Sequence, residues 1–455
     1  MFKEIVLDNF LSFNHLRFDM TGKNDTPLNH LMIYGENGSG KTNLIESIVF
    51  LKESITTMIL NEIMSSLVQE KKDDGQCTDD SIALQIESIR RDMIRFNSRN
   101  LDISLFSRPR FMIGSTGEMS VRYRIQVSDM PFEYTMSFDR EGYLIKEALK
   151  SIISKNMGVL FSISAVDGLP TFHYNNGLFI STEYRKEVEE AVMKYWGKHT
   201  LLSIFNREFI SKNRGYMDSV LRTDICALVE MISSTVTNVP SPSGTPMLTR
   251  GFGLNLIGGI APRDSERILR AYEKALSKFF TRLYSDVVDA SYRMTECNGS
   301  LSYELFFEKR IAGVIREIPC RLESAGTKLL IALFPSFIGC AEGQTAFIDE
   351  MDSGVHDKLI FDLMQQILPD LKGQLVVTTH NTSLLEFLPP ANAFVLNVDS
   401  EGFKAIYPFS DVVRTQKNNN NRNRYLQGQF DGVPIIGYIG LSEIASAFHD
   451  EVMEL

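Results

Sequence analysis

The stretch His30-Leu31-Met32-Ile33-Tyr34-Gly35-Glu36-Asn37-Gly38-Ser39-Gly40-Lys41-Thr42-Asn43-Leu44-Ile45-Glu46-Ser47-Ile48-Val49-Phe50-Leu51 decides the fold. Its apolar opening has strand length, its middle carries glycine at 35, 38 and 40, and apolar residues then recur at helical spacing from Asn43 to Leu51. In that context the octet Gly35 to Thr42 matches GxxxxGK[ST] in full. The glycines let the backbone curl so that its amides point at a β-phosphate, and the helix N-terminus adds positive dipole. Lys41 can reach the β and γ oxygens, and Thr42 can ligate Mg2+. Gly35, Glu36, Asn37, Gly38, Ser39, Gly40 and Asn43 complete the candidate nucleotide-binding set. A glycine turn that merely closes a strand is the plain alternative, which the complete octet disfavours. ATP and Mg2+ are the expected cofactors.

Three downstream stretches extend this reading. Thr345-Ala346-Phe347-Ile348-Asp349-Glu350 is an apolar strand delivering two carboxylates at its C-terminal end, where parallel sheets place ligands. Asp349 is expected to hold Mg2+, and Glu350 to accept the proton of an attacking water. Glu323-Ser324-Ala325-Gly326-Thr327-Lys328 leads into an apolar helix. Ser324 and Gly326 would expose a hydroxyl and amides suited to a γ-phosphate, although a serine there is also an ordinary helix cap. Leu375-Val376-Val377-Thr378-Thr379-His380-Asn381 ends a strand in a histidine able to hydrogen-bond the γ-phosphate or the water.

The remaining chain is that of a soluble globular protein: 455 residues, 44% hydrophobic and 23% charged. At roughly 100 to 200 residues per domain, two or three domains are allowed. Forty-seven Lys and Arg against 57 Asp and Glu leave a net charge of -10, so any nucleic-acid contact needs a local patch. Five scattered cysteines without a CxxC pair favour a reducing cytoplasm. The most apolar stretch, Leu329 to Ala341, is too short for a membrane span, and the N-terminus reads as strand rather than signal peptide.

Short strands are expected at Lys3–Leu7 and His15–Met20, and antiparallel sheet at Val121–Val127 and Phe132–Phe138. Lys71 to Asp80 reads as an exposed loop. From about Ser151 to Arg293 the pattern is mostly helical, with a long helix over Ser265–Tyr292, and Val239–Pro246 and Gly251–Gly259 read as linkers. Three segments result: 1–150 as the first half of the nucleotide-binding unit, 151–299 as a mostly helical insertion, and 300–455 as the second half. Val412 to Tyr425 is basic and could touch nucleic acid or an acidic partner, but a solvated loop is the better reading.

The order phosphate loop, serine-glycine signature, Asp-Glu strand, histidine strand resembles the ABC-type (SMC/Rad50/RecF-like) ATPase head. The implied fold is α/β with an antiparallel β lobe, a mostly helical insertion and no long coiled coil. Asp8-Asn9-Phe10-Leu11-Ser12-Phe13, Tyr34 to Asn43, Glu323 to Lys328, Ile348 to Asp352, Thr378 to Thr382 and Arg424 to Pro434 look like blocks of the AAA15-type, OLD-like ATPases of bacterial anti-phage defence. Two departures stand out: Gln429 replaces a frequent Arg, and His356 replaces the Asp usual in an ABC dimer-contact loop.

The resemblance implies a homodimer or higher oligomer in which Lys41, Thr42, Asp349, Glu350 and His380 of one subunit face Ser324 and Gly326 of another. No nuclease pattern, a Glu strand followed by a DxD strand, is read after His380. It therefore points to a switch or sensor subunit of a two-component system, PARIS (AriA-like) first and Septu (PtuA-like) second. A separate effector nuclease, TOPRIM-type favoured, and a phage-encoded trigger would be its partners, with no membrane involved. A RecF-like DNA-binding repair ATPase is the alternative.

Overall fold

The computed structural model describes residues 1–62, 101–166, 169–240, 246–247, 254–297, 300–412, 420–433 and 439–453. The expected loop Lys71–Asp80, the basic Arg414–Lys417, Pro434, and residues 241–245 and 251–253 of the two proline- and glycine-rich stretches lie outside them.

The architecture is α/β. Strands β1 (Phe2–Phe10), β2 (Phe13–Asp19) and β3 (His30–Tyr34) lead through the glycine loop into helix α1 (Lys41–Ser54). Strands β4 (Met119–Val127), β5 (Met130–Phe138), β6 (Leu144–Ile153), β7 (Asn156–Val166) and β8 (Leu169–Tyr174) follow. With the first two they form a seven-stranded antiparallel sheet in the order β2-β1-β4-β5-β6-β7-β8. Helices α2 (Thr182–Tyr195), α3 (Leu201–Ser211), α4 (Arg214–Val220) and α5 (Thr223–Ser234) come next.

Strands β9 (Val236–Pro240), β10 (Pro246–Met247) and β11 (Gly258–Pro262) lead to helix α6 (Glu266–Leu283). Strand β13 (Ser300–Ile311) pairs along its length with β12 (Val287–Cys297), and on its other edge with β11 and β14 (Val314–Pro319). Helix α7 (Ala325–Ala341), β15 (Thr345–Ile348), α8 (Asp357–Ile367), β16 (Gln374–Thr378), β17 (Ala393–Val398), β18 (Lys404–Pro408) and α9 (Leu441–Met453) complete the chain. The central sheet runs β10-β9-β15-β16-β3-β17-β18, with β9, β15, β16, β3 and β17 parallel.

Parallel strands covered on both faces read as continuous apolar runs. In β3, Leu31 and Ile33 face the core beneath the antiparallel sheet, while Met32 and Tyr34 face a second core against α6, α7 and the β11–β14 sheet. Phe347 and Val376 follow the first pair, and Ala346, Ile348, Leu375 and Val377 the second. At about 1.5 to 3 kcal/mol per fully buried large apolar side chain, these strands are the main source of stability on both sides.

The segment 151–299 is not a helical unit. Its boundary at 150/151 falls inside β6, and that at 299/300 falls in the β12–β13 hairpin. Strands β7 and β8 prolong the antiparallel sheet, and β9 enters the central one. A bulge between Leu149 and Lys150 opposite β7 buries both Leu160 and Phe161, which interrupts the alternation that would have marked this strand. The helix expected to reach Tyr292 stops at Leu283, and from Val287 the chain is strand, with Ala290 and Tyr292 buried at period two. No helix among the described residues is long and apolar enough to cross a membrane.

Gln374 joins the two large sheets. Its side chain has no exposure, its Oε1 accepts from the Phe2 N–H at 2.7 Å, and its Nε2 donates to the carbonyls of Phe2 and Leu28, both at 2.9 Å. A leucine there would leave two buried backbone groups of Phe2 and the part-buried Leu28 carbonyl without this partner, at about 1 to 3 kcal/mol for each buried group and not fully additive. Gln374→Leu is expected to lower unfolding free energy by about 3 kcal/mol in urea titrations; a loss below about 1 kcal/mol would contradict this role.

Candidate functional site

The phosphate loop leaves β3 at Tyr34 and is shaped by its glycines. Gly35 has φ +149, and a Cβ there would stand 2.5 Å from the Leu396 carbonyl of β17. Gly40, at φ +109, caps α1, and a Cβ there would meet Ser12 Oγ at 2.9 Å and the Phe13 ring at 3.0 Å. Both positions thus need glycine for conformation and for close approach. Lys41 Nζ donates to the carbonyls of Gly35 at 2.8 Å and Glu36 at 2.9 Å. Asn43 Nδ2 donates to Ser12 Oγ at 2.7 Å, which ties the β1–β2 turn to the loop. That turn is anchored to α1 in another way: Leu11 N–H donates to the Arg110 carbonyl at 2.6 Å, and the Arg110 guanidinium pairs with Glu46 and Glu53.

The carboxylates arrive from β15. Thr42 Oγ1 donates to Asp349 Oδ2 at 2.6 Å, so two residues far apart in the chain meet directly. Thr378, at the end of β16, donates its hydroxyl to Asp349 Oδ1 and accepts the Glu350 N–H at 2.8 Å. Glu350 itself is exposed, with φ +49, a backbone conformation a non-glycine residue keeps only when its surroundings hold it there. Thr378 had no role in the sequence reading. The register could have found it, because Ile348 lies opposite Val377 and the next pair is Asp349 and Thr378.

His380 follows that threonine pair, exposed at the sheet edge beside Lys41, Asp349, Glu350 and Asp352. Partial burial and the Lys41 charge lower its pKa despite those carboxylates, which favours the neutral imidazole. Burial also lowers the Lys41 pKa, with Asp349, Glu350 and Asp352 pulling the other way. Asp352, unassigned from sequence, thus belongs to the same electrostatic cluster.

Ser324 and Gly326 are not joined to this cluster by any bond described. Ser324 is exposed and caps α7, accepting the Thr327 N–H at 3.1 Å, as an ordinary N-cap does. Gly326 packs on the loop after Glu350, where a Cβ would stand 2.3 Å from the Gly354 carbonyl. His356 caps α8, its Nδ1 accepting the Lys358 N–H at 3.1 Å. In the C-terminal block, Gln429 Oε1 accepts from Arg424 Nε at 3.0 Å, and Arg422 pairs with Glu386 at 2.6 Å.

The donor set fits Mg2+ with a nucleotide. One hydroxyl and one carboxylate in contact suit a hard cation that keeps water and phosphate oxygens as its other ligands. The buried Ser39 hydroxyl, within the loop, has no hydrogen-bond partner.

Residues 248–386 match the model of a family described as AAA domain, putative AbiEii toxin, Type IV TA system. That span holds the signature, both carboxylates and His380. No curated protein matches the chain. Among solved structures, the chain is similar to the SMC head domain from Thermotoga maritima, at 15% identity and TM-score 0.40, over 91% of this chain and 99% of that one. It is also similar to an SmcHead bound to the C-winged helix domain of ScpA, at 13% identity and TM-score 0.43, over 90% and 99%.

The glycine contacts predict unequal costs. Gly326→Ala should destabilise by about 1 to 3 kcal/mol, since Gly354 backbone must move. Gly38→Ala meets nothing within 4 Å and carries only the strain of φ +82, about 1 to 2 kcal/mol. Denaturant midpoints measure both, and a Gly326→Ala protein as stable as wild type would disprove the contact.

Proposed function

We propose that the chain is a Mg2+-dependent ATPase whose hydrolysis cycle switches a bound partner. The observation that carries this reading is the Thr42–Asp349 hydrogen bond at 2.6 Å, which joins the end of the phosphate loop to the carboxylate strand. Thr42 and Asp349 would hold Mg2+, which when bound neutralises charge on the β and γ oxygens. Lys41 would turn from the Gly35 and Glu36 carbonyls to the terminal phosphates, while the loop amides orient the β-phosphate. Glu350, fixed by Thr378 and exposed, would take the proton of the attacking water. Neutral His380 would donate to the γ-phosphate or hold the water.

Ser324, exposed at the start of α7, would face nucleotide held by a second copy. The block resemblance supports placing this switch in two-component anti-phage defence, controlling a separate nuclease, TOPRIM-type favoured, in response to a phage-encoded trigger. The matched family's description as a toxin of a toxin–antitoxin system supports the same two-component logic.

A second reading, a RecF-like DNA-binding ATPase, is favoured by one feature. Arg267, Arg270, Lys274, Lys278 and Arg282 are all exposed on a single face of α6, and among the described residues only Arg270 is ion-paired, to Glu266 and Glu273. Binding duplex DNA through them would fall with salt at a log–log slope near -0.9 per phosphate contacted.

Three variants test the hydrolytic reading. Lys41→Ala should weaken ATP binding at least 100-fold, because the site loses its cation for the terminal phosphates. Glu350→Gln should keep ATP binding but lose about 100-fold or more in turnover, since an amide accepts no proton at neutral pH. Ser324→Arg should bind ATP and not hydrolyse it, with wild-type activity rising faster than linearly in enzyme concentration. Wild-type turnover by Glu350→Gln would refute the mechanism.

The switch itself is tested by co-purification with the product of the neighbouring gene. A nuclease that stays bound to Glu350→Gln and leaves the wild type on ATP addition is expected. A bound fraction indifferent to ATP and to this variant would overturn the switch.

A further inference from the structure

Of the three glycines in the phosphate loop, two are fixed by packing and one is not. Gly35 lies against the Leu396 carbonyl and Gly40 against Ser12 and Phe13, but a Cβ at Gly38 would meet nothing within 4 Å. The tip of the loop, exposed Asn37 and Gly38, therefore has no steric support. A peptide plane flanked by glycine in open space turns over easily, and turning the Gly38–Ser39 plane would swing the Ser39 amide away from the concave side. In the structure that amide donates to the Glu36 carbonyl at 3.2 Å, the same acceptor that Lys41 uses.

The carbonyl end of the same plane is held from outside the motif. Lys404, the first residue of β18, donates its Nζ to the Gly38 carbonyl at 3.1 Å. The ammonium also lies over the Phe13 ring, 5.7 Å from its centre, and partial burial lowers its pKa. Lys404 is held in turn by a tight connection from β17. Asp399 N–H donates to the Phe403 carbonyl at 2.9 Å, and Asp399 Oδ1 accepts the N–H groups of Glu401 at 2.9 Å and Phe403 at 2.8 Å. The β17–β18 hairpin thus braces both ends of the loop's first half, through Leu396 at Gly35 and through Lys404 at Gly38.

We propose that Lys404 is a positioning residue for nucleotide binding, its ammonium holding the Gly38–Ser39 peptide with the N–H turned toward the β-phosphate. This rests on the reading of Gly35 to Thr42 as a nucleotide site. A cation on a carbonyl also polarises the same peptide's N–H, so Lys404 strengthens the donor as well as aiming it. A charge-assisted hydrogen bond of this kind, partly open to solvent, corresponds to about a tenfold change in affinity.

The test uses the full chain with Mg-ATP and Mg-ADP, both of which carry a β-phosphate. Lys404→Met keeps the aliphatic stem on Phe13 and removes the charge. It is expected to raise the Kd of both nucleotides about tenfold, with the loss in hydrolysis falling on KM rather than kcat, and Lys404→Arg should restore affinity to within about twofold. Lys404→Gln serves as a second neutral variant. Wild-type affinity in Lys404→Met, while Lys41→Ala fails to bind, would overturn this inference and leave the site reading intact. ATP binding by Lys41→Ala at wild-type strength would overturn the site reading itself. Neutral variants that do not fold, or that lose kcat as much as KM without rescue by Arg, would make Lys404 a purely structural residue and defeat the proposal.

Discussion

Parallel strands that are neighbours in a sheet must all finish at the same edge, and the candidate site depends on that constraint. In the order β15-β16-β3, Ile33 lies opposite Thr378 and Val377 opposite Ile348. The segments that follow, starting at Tyr34, Thr379 and Asp349, therefore leave the sheet at one edge, although more than 300 residues separate Tyr34 from Asp349 in the chain. The Thr42–Asp349 and Thr378–Asp349 hydrogen bonds are consequences of this register. A slip of one residue would turn Asp349 to the opposite face and exchange the apolar side chains between the two cores.

The same strands are the floor of two cores, which sets how the site's walls attach. The antiparallel sheet and α1 cover one face, and α6, α7 and the β11–β14 sheet cover the other. Gln374 ties the first cover down at Phe2, and Gly326 seats α7 on the loop after Glu350. The glycine loop sits between the first cover and one side of the central sheet, with Ser12 and Phe13 from the cover and Leu396 and Lys404 from β17 and β18.

Most of the central sheet was legible in the sequence because its strands are short, uninterrupted apolar runs ended by glycine, carboxylates or histidine. The strands at His30–Tyr34 and Thr345–Ile348, and the one leading to His380, are found where expected. The prolongation of the antiparallel sheet through β7 and β8 was not legible, because the bulge near Leu149 buries adjacent residues and blurs the period of two. Helix α6 was overextended because Val287 falls at helical spacing as well as in a strand. At the site, the motif residues were recognisable by type and order. Thr378, Asp352 and Lys404 were not, since threonine, aspartate and lysine carry no signal until pairing and side-chain reach bring them to the loop. The arrangement of Ser324 toward a second copy stays a proposal, because within one chain that serine does no more than cap its helix.

The position of β3 in its sheet also has a consequence for how the chain can be made. Its hydrogen-bonded neighbours, β16 and β17, begin at Gln374 and Ala393, so they leave the ribosome long after His30–Tyr34. At translation rates of roughly 5 to 20 residues per second, that delay is roughly 20 to 70 seconds. During this time β1, β2 and β4 to β8 can already form their antiparallel sheet, whereas an apolar strand destined for burial on both faces has no partner on either edge. The glycine loop therefore cannot be complete until β16 and β17 have emerged, and until then the nascent chain must be kept from pairing that strand with a neighbour on the same polysome.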